Sequence, residues 1–326
     1  MRSFEQPDAL LPSTYIVIRV DGHAFTKFTA EHGWVKPNDS RGVSLMTAAA
    51  LAVVREWGDI VLAYGQSDEY SFVLPPSSGV FGRRCAKLAT GVASLFAAAF
   101  VFHWPAYFPT VPLQRPPSFD GRCVCYPRLS LVADYFRWRQ VDTHINSLYN
   151  ECFWALVQRG GATPGEAHER LKGTLSDHKN ELLHGTFGLN FAALPAAFKR
   201  GTTLVRVGRR KGGAAGAMPA QAASGGSSES SSSGSGDSSS SSSSSSSAAP
   251  LEAPPAAGGA TTSSTSTSSA KGTSRTSSGT EPLPLPEGHP PLPAFNLPPN
   301  MQLLHTDYLI AANKGFLEGI LQPYEI

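Results

Sequence analysis

Two kinds of hydrophobic period alternate along the first 130 residues. Residues 15–20 form a β-branched and aromatic run that ends at Asp21-Gly22, which predicts a buried strand. From residue 40 to residue 57 the apolar positions follow a helical spacing, and Asn38, Asp39 and Ser40 offer caps for its first turn. The pattern therefore predicts a strand followed by an amphipathic helix.

A hairpin and a second helix continue this pattern. Residues 60–64 and 70–74 are short strand-like runs separated by a polar stretch that contains Ser67, Asp68 and Glu69. Helical periodicity follows over residues 81–99, with the basic residues Arg83, Arg84 and Lys87 off its apolar face, and residues 122–126 predict a fourth strand. The order β-α-β-β-α-β predicts an α+β fold with a ferredoxin-like or polymerase-palm core and further helices C-terminal to it.

This topology brings two acidic residues together. The helical crossover makes the first and second strands parallel, so Asp21 and the hairpin that holds Asp68 lie at the same edge of the sheet. The third strand returns between them, which keeps the two ends within two strand spacings of roughly 4.8 Å each. Converging carboxylates repel each other unless a cation neutralises them, and their oxygens suit Mg²⁺. The alternative stays open that each aspartate is an ordinary turn residue.

Two segments near this edge have the chemistry of a phosphate site. Gly22 permits a close backbone approach, and we expect the amides of His23, Ala24 and Phe25 after it to form a phosphate-binding turn. The segment from Lys36 to Ser40 brings a cation to the start of the first helix, where anions are favoured. Alone, that segment also fits a routine helix cap.

A later helix carries a set of polar side chains. Its predicted apolar stripe consists of Tyr135, Trp138, Ile145, Leu148, Cys152 and Leu156. Arg139, Asp142, Asn146 and Asn150 recur on another face, where they offer hydrogen bonds for phosphate, sugar or base edges. A solvated helix face is the alternative interpretation.

Composition divides the remainder of the chain. Residues 208–299 consist mainly of Gly, Ala, Ser, Thr and Pro, with an unbroken serine run over residues 238–247, which predicts a disordered insertion. We therefore expect a catalytic core in residues 1–130, a helical part of the same enzyme in 131–207, the insertion in 208–299, and a return to the fold in 300–326.

Charge and cysteine content narrow the class of protein. A formal net charge of +2 does not indicate a nucleic-acid partner by itself. Four cysteines without a Cys-x-x-Cys pair are typical of buried thiols in a reducing compartment. The N-terminal residues lack the apolar region of a signal peptide, and no uninterrupted apolar run reaches the length of a membrane span. These features predict a cytoplasmic or nuclear protein without a membrane segment.

Several motifs, in order, resemble the eukaryotic tRNA-His guanylyltransferases. They are the segments 20–22, 36–41, 64–72 and 144–150, and the resemblance continues through 173–175 and 177–181, with a short echo at 304–308. The resemblance covers about residues 1–207. Two positions depart from the family pattern: Ser147 stands where an asparagine is usual, and Thr26 stands where a histidine is common.

The resemblance implies an enzyme that adds a guanosine to the 5′ end of tRNA-His. ATP would first adenylylate the 5′-phosphate, the 3′-hydroxyl of GTP would displace AMP, and pyrophosphate would then be removed. It implies that Asp21, the carbonyl of Gly22 and Asp68 hold two Mg²⁺ ions, with Glu69 as support. Nucleotide would be bound by Gly22, His23, Ala24, Phe25, Lys36, Asp39 and Ser67.

The resemblance also assigns substrate recognition and assembly. It implies that tRNA, including the His anticodon, is bound by His144, Asn146, Asn150, Lys179 and Asn190, and that the enzyme is a homotetramer. Arg83, Arg84 and Lys87 would lie near the triphosphate or the tRNA end. Three alternatives remain: a templated 3′-to-5′ polymerase that repairs truncated tRNAs, a nucleotide cyclase on the same fold, and a tRNA-binding protein without catalysis.

Overall fold

The computed structural model describes Phe4, residues 6–206, Phe295, Leu297, residues 300–305 and residues 315–321. The predicted insertion at 208–299 lies outside these residues, apart from Phe295 and Leu297, as does most of the echo at 304–308.

A six-stranded antiparallel sheet with the order β4-β1-β3-β2-β5-β6 forms the centre of the fold. Because β3 pairs in antiparallel fashion with both β1 and β2, those two strands run in the same direction on either side of it. This confirms the predicted palm-type topology. The strands are β1 Tyr15–Gly22, β2 Leu62–Gln66, β3 Glu69–Leu74, β4 Phe119–Tyr126, β5 Thr202–Arg206 and β6 Met301–Leu304.

Helices cover both faces of the sheet. One face packs against α2 and α3, and the other against α4, which extends beyond the sheet and packs there on α5 and α6. The helices are α1 Phe25–Glu31, α2 Ser40–Glu56, α3 Cys85–Tyr107, α4 Leu129–Gln158, α5 Pro164–Leu171, α6 Ser176–Glu181, α7 Ala196–Arg200 and α8 Phe316–Leu321. Short turns of 3-10 helix at Val80–Arg83 and Phe191–Ala193 and of π-helix at Leu182–Thr186 connect them.

β1 is apolar throughout most of its length because both of its faces are covered. Ile16 and Ile18 lie in the core beneath α2 and α3, whereas Tyr15 and Val17 pack beneath α4. Side chains alternate between the faces of a strand, so Arg19 and Asp21 continue the α4 side. The last acidic residue of β1 therefore points to the same side as α4.

α3 differs from its prediction in where it begins and in the position of Arg83. The helix begins at Cys85, and Arg83 before it is buried, where its guanidinium donates to the carbonyls of Leu11, Thr14 and Ser78. Arg83 was therefore wrongly predicted to lie off the apolar face, and its role is to tie the N-terminal segment to this turn.

α3 is also, by length and composition alone, long and apolar enough to cross a membrane, a feature that the sequence analysis did not expect. In this structure Leu88, Val92, Phe96 and Phe100 along one side of it are buried in the core cluster.

The predicted apolar stripe of α4 is wrong at two positions. Trp138 is 58% exposed and Ile145 is 53% exposed, whereas Arg139 and Ser147 are buried. The side of α4 that faces the protein is apolar near its start and near its end, but polar in its middle. Hydrophobicity therefore misplaced the centre of this helix.

Ser147, one of the two departures from the family pattern, is buried at 7% exposure. Among the described residues its hydroxyl has no hydrogen-bond partner. A buried hydroxyl without a partner loses its hydration without compensation. We therefore expect Ser147→Ala to leave the free energy of unfolding unchanged or to raise it by up to ~1 kcal/mol.

Urea denaturation measures this effect, with Thr143→Val as the matched variant one turn away. The Thr143 hydroxyl is buried and hydrogen-bonded to Tyr64 and to the carbonyl of Arg139, so its loss should destabilise the protein by about 1–2 kcal/mol. A Ser147→Ala variant destabilised as much as Thr143→Val would contradict the prediction.

Candidate functional site

Three carboxylates gather where β1 ends and the β2–β3 hairpin turns. Asp21 is the register partner of Glu69 on the adjacent strand. Asp68 lies in the turn before Glu69, and the amide of Gly22 donates to its backbone carbonyl over 3.0 Å. The structure thus brings Asp21, Asp68 and Glu69 to one edge of the sheet, where the predicted topology expected the two aspartates to meet.

The backbone at this edge is tightly constrained. Ser67 adopts a left-handed conformation with φ 49°, as short hairpin turns require. A Cβ atom on Gly22 would lie 2.6 Å from the Phe25 ring and 3.1 Å from the Cβ of Asp68. Only glycine therefore allows the end of β1 to approach the hairpin this closely.

The electrostatics of the cluster favour a cation. Burial and the neighbouring charge of Asp21 raise the pKa of Asp68 to about 6, against a lowering contribution from the Ser67 side chain. Burial also raises the pKa of Asp21, which Arg19 opposes and Glu69 and Asp120 reinforce. Half-buried like charges are stabilised by a positive ion, so this edge is a candidate cation site.

The oxygen ligands at this edge are few, as they commonly are in magnesium sites that also bind phosphate. In the part of the chain that the structure describes, no group of three or more His, Cys, Asp and Glu side chains is arranged to hold a metal. Mg²⁺ at phosphoryl-transfer sites commonly takes one or two protein carboxylates, with waters and substrate phosphates as its other ligands. Asp21, Asp68 and the carbonyl of Gly22 are consistent with that kind of site.

Glu69 is held by two arginines. Arg139 on α4 binds it through both carboxylate oxygens, at 2.8 and 2.9 Å, and both side chains are less than a tenth exposed. Arg19 contacts Glu69 at 2.5 Å and also pairs with Asp21. Arg139 further donates to Asp142 at 3.0 Å.

These contacts correct the prediction for Arg139. The sequence analysis placed it on a polar helix face that offers hydrogen bonds to substrate, but it is buried and committed to Glu69. Arg19 was missed altogether. Its signal in the sequence is a cation within an apolar strand, two residues before Asp21 and therefore on the same side of the sheet.

The turn after β1 was predicted to bind phosphate through the amides of His23, Ala24 and Phe25. Ala24 adopts a left-handed conformation with φ 51°, and Phe25 is buried in the core at the start of α1. His23 is exposed, but its amide donates to the carbonyl of Ser118 over 2.8 Å. That amide is therefore already used in this conformation.

The Lys36 side chain lies within electrostatic range of the Asp68 carboxylate. Its pKa is lowered by burial, while the nearby Asp39 and Asp68 carboxylates act to raise it. The ammonium donates to the Thr29 hydroxyl over 2.8 Å, which orients the side chain. A cation thus borders the carboxylate cluster.

Asp39, predicted as a nucleotide-binding residue, is a buried helix cap. Its carboxylate accepts from the amides of Val35 and Arg41 at 2.9 and 3.0 Å, and the Arg41 guanidinium pairs with it at 2.6 Å. These hydrogen bonds hold the pKa of Asp39 below its usual value although burial opposes them. The carboxylate therefore fixes the start of α2.

A second feature is a cavity of about 510 Å³ beside the middle of α4. Two of the predicted tRNA-binding residues, His144 and Asn190, line it together, and the His144 ring packs edge-on against Phe191 with centroids 5.4 Å apart. Its other lining residues are Gln140, Asn180, His184, Leu189, Ala192, Lys199 and Arg200. The polar and basic lining suits an anionic or hydrogen-bonding ligand.

The other predicted tRNA-binding residues lie outside this cavity. Asn146 and Asn150 are exposed on α4. Lys179 donates to the carbonyl of Thr174 over 2.6 Å. The structure therefore groups only His144 and Asn190 of the five predicted residues. Sequence reasoning missed His184, which belongs to a short turn of helix without a distinctive motif.

Two family models match the chain. A model described as tRNAHis guanylyltransferase matches residues 1–127, and one described as the Thg1 C terminal domain matches residues 130–251. Among curated proteins, the probable tRNA(His) guanylyltransferase of Dictyostelium discoideum is 51% identical over 206 residues, which are 63% of this chain and 80% of that protein. The tRNA(His) guanylyltransferase of Schizosaccharomyces pombe is 52% identical over 206 residues, which are 63% and 78%.

Solved structures give the same result. The crystal structure of tRNA(His) guanylyltransferase from Saccharomyces cerevisiae has 45% sequence identity and a TM-score of 0.61, and the match covers 63% of this chain and 91% of that one. A bacterial tRNA(His) guanylyltransferase-like protein in complex with ATP has 26% identity and a TM-score of 0.52, with 61% and 83% covered.

The palm-type sheet and these matches define a nucleotidyltransferase. Relatives of about 50% identity are matched over more than three quarters of their own length. The chain belongs to the tRNA-His guanylyltransferase family.

Proposed function

We propose that this chain adds guanosine to the 5′ end of tRNA-His at the edge of the sheet where β1 and the β2–β3 hairpin end. The observation that supports this proposal is the cluster of Asp21, Asp68 and Glu69, with Lys36 beside it. Carboxylates and a cation at one point are the groups that phosphoryl transfer requires for positioning and charge stabilisation.

In this proposal Asp21, Asp68 and the carbonyl of Gly22 hold two Mg²⁺ ions. When bound, such ions neutralise the charge that develops on the phosphoryl oxygens. Glu69 does not need to bind a metal, because Arg19 and Arg139 already occupy its oxygens. Its task is to hold Arg19 next to Asp21 and so to fix the aspartate.

The substrates proposed are ATP and GTP. A related bacterial protein was solved in complex with ATP. Lys36 is suited to bind a triphosphate because it is a point charge held next to the cluster, and Ser67 lies in the turn that carries Asp68. The 5′-phosphate of the tRNA would first be adenylylated by ATP. That step releases pyrophosphate from ATP; the 3′-hydroxyl of GTP would then displace AMP, and hydrolysis would finally remove pyrophosphate from the 5′-triphosphate of the added guanosine.

The cavity beside α4 is proposed to receive a part of the tRNA. It is large enough to admit a nucleobase, and His144, Asn190 and Phe191 offer hydrogen bonds and an aromatic surface. A homotetramer and a cytoplasmic or nuclear location, both expected from the sequence analysis, remain part of the proposal.

The test is incorporation of labelled GTP into a 5′-monophosphorylated tRNA-His transcript, with ATP and GTP varied separately. We expect incorporation to require both nucleotides. A 5′-triphosphorylated transcript should remove the need for ATP, because it already carries a leaving group. Incorporation that favours a tRNA without its first nucleotide would support the repair polymerase, and a cyclic product from GTP alone would support the cyclase.

The role of the cavity gives a separate prediction. His144→Ala combined with Asn190→Ala should raise the KM for tRNA-His about tenfold, because lost polar contacts are worth roughly 1–3 kcal/mol. The KM for GTP should stay unchanged, since the cavity is separate from the carboxylate cluster. Steady-state kinetics measure both constants, with Lys172→Ala, an exposed cation near α5, as the control. An unchanged KM for tRNA would contradict this assignment.

A further inference from the structure

The loop that carries Lys36 is held from two directions. This loop joins α1 to α2. Lys36 donates to Thr29 at the end of α1, and Asp39 caps α2, so both are contacts between residues close in sequence. Asn38, between them, makes a contact of a different kind. Its side-chain amide donates to Oε1 of Glu151 over 3.0 Å, across 113 positions of the chain.

Glu151 lies on α4 and faces the loop from the helical layer. Burial raises the pKa of its carboxyl to about 7, while the Asn38 amide and the charge of Arg159 act to lower it. Cys152, the next residue on α4, is also buried. A carboxyl with such a pKa is partly protonated at neutrality, so the Asn38 contact depends chiefly on a hydrogen bond and less on full charge.

α4 therefore contacts two parts of the candidate catalytic site, the carboxylate cluster and the loop that carries Lys36. Arg139 holds Glu69 of the carboxylate cluster, and Glu151 holds Asn38 of the loop that carries Lys36. The two residues are twelve positions apart, which corresponds to about 18 Å along a helix. A single rigid helix thus fixes the cluster and the cationic loop relative to each other.

We propose that Glu151 is a positioning residue for nucleotide binding: its hydrogen bond to Asn38 holds the loop so that Lys36 stays beside Asp68. The inference rests on the proposed function of Lys36 in binding a nucleoside triphosphate. Glu151 itself contacts no substrate in this account. Its contribution is to fix the position of the cation before the nucleotide arrives.

The experiment compares Glu151→Leu, Glu151→Gln and Asn38→Ala in the full-length chain, with GTP incorporation into tRNA-His as the readout. Glu151→Leu and Asn38→Ala should each raise the KM for GTP about five- to tenfold, the range expected for one hydrogen bond, with little change in kcat. The KM for tRNA should not change. Glu151→Gln retains a carbonyl oxygen that accepts from Asn38, so it should keep a nearly normal KM. Glu169→Gln, an exposed glutamate on α5, is the matched control.

A double variant separates positioning from general damage. If the two residues act through their mutual bond, Glu151→Leu combined with Asn38→Ala should raise the KM for GTP no more than either change alone. Should Glu151→Leu fail to fold, Asn38→Ala and Glu151→Gln still test the proposal. An unchanged KM for GTP in Asn38→Ala, or a Gln variant as impaired as the Leu variant, would overturn it. An inactive wild-type chain would instead overturn the proposed function.

Discussion

Asp68→Ala is expected to abolish incorporation of labelled GTP into tRNA-His, with a loss of at least about 10³-fold. The physical reason is that Asp68 is one of two carboxylates available to hold a cation at the edge of the sheet, and burial together with the charge of Asp21 raises its pKa, an effect that a bound cation would offset. Asp21 alone would remain, and one carboxylate cannot supply the ligands that the proposed site takes from two.

The matched control is Asp134→Ala, since Asp134 is an exposed carboxylate on α4 that pairs with Arg137. It should retain full activity. Binding of tRNA, measured by filter retention, should survive in Asp68→Ala because the cavity lined by His144 and Asn190 is a separate feature. If Asp68→Ala incorporates GTP at the wild-type rate, the carboxylate cluster is not the catalytic site.

Arg139→Ala should produce the largest loss of stability. It would leave Glu69 buried without the partner that binds both of its oxygens, and breaking a buried ion pair typically destabilises a protein by about 3–5 kcal/mol. For a folded body of this size the Tm should fall by roughly 6–20 °C. Activity should fall as well, because Glu69 also holds Arg19 beside Asp21.

Thermal unfolding measures the first effect, with Arg137→Ala as the control. Arg137 pairs with a largely exposed carboxylate on the same helix, so its removal should change the free energy of unfolding by less than about 1 kcal/mol. The double variant Arg139→Met with Glu69→Gln should be more stable than Arg139→Ala, since the buried side chain at position 69 is then neutral and Arg19 keeps Asp21 as its partner. A Tm of Arg139→Ala within 2 °C of the wild type would show that the pair does not stabilise the fold.

The hydrophobic pattern predicted the architecture because that architecture depends on local periods. The continuous apolar run of β1 and the helical spacing of α2 follow from which faces are buried, and strand order follows from the handedness of the crossover. The meeting of Asp21 with Asp68 followed from this topology and required no knowledge of side-chain contacts.

The pattern was wrong in the middle of α4 for a physical reason. There the buried face carries Arg139, Gln140 and Thr143, because it faces Glu69, the Tyr64 hydroxyl and the cavity. An apolar stripe could not be traced through a segment where the buried residues are polar. Such disagreement between local pattern and burial is itself an indication of a functional region.

The sequence could not predict side-chain pairs between residues that are far apart along the chain. Arg139 and Glu69 are 70 positions apart, and Asn38 and Glu151 are 113 apart, so neither pair leaves a local signal. Asp39 shows a limit of local sequence patterns. An aspartate that caps a helix and an aspartate that binds nucleotide can stand in the same sequence pattern. Only the geometry of its contacts distinguishes the two roles.

The central claim is that the edge of the sheet formed by Asp21, Asp68 and the hairpin is the catalytic centre of guanylyl transfer. The most direct measurement is a crystal structure of the chain with a non-hydrolysable GTP analogue and Mn²⁺ in place of Mg²⁺, with the metal located by anomalous scattering. The account predicts anomalous peaks within coordination distance of the Asp21 and Asp68 carboxylates, with the triphosphate beside Lys36. Metal and nucleotide bound elsewhere, with Asp21 and Asp68 making no contact to either, would contradict it.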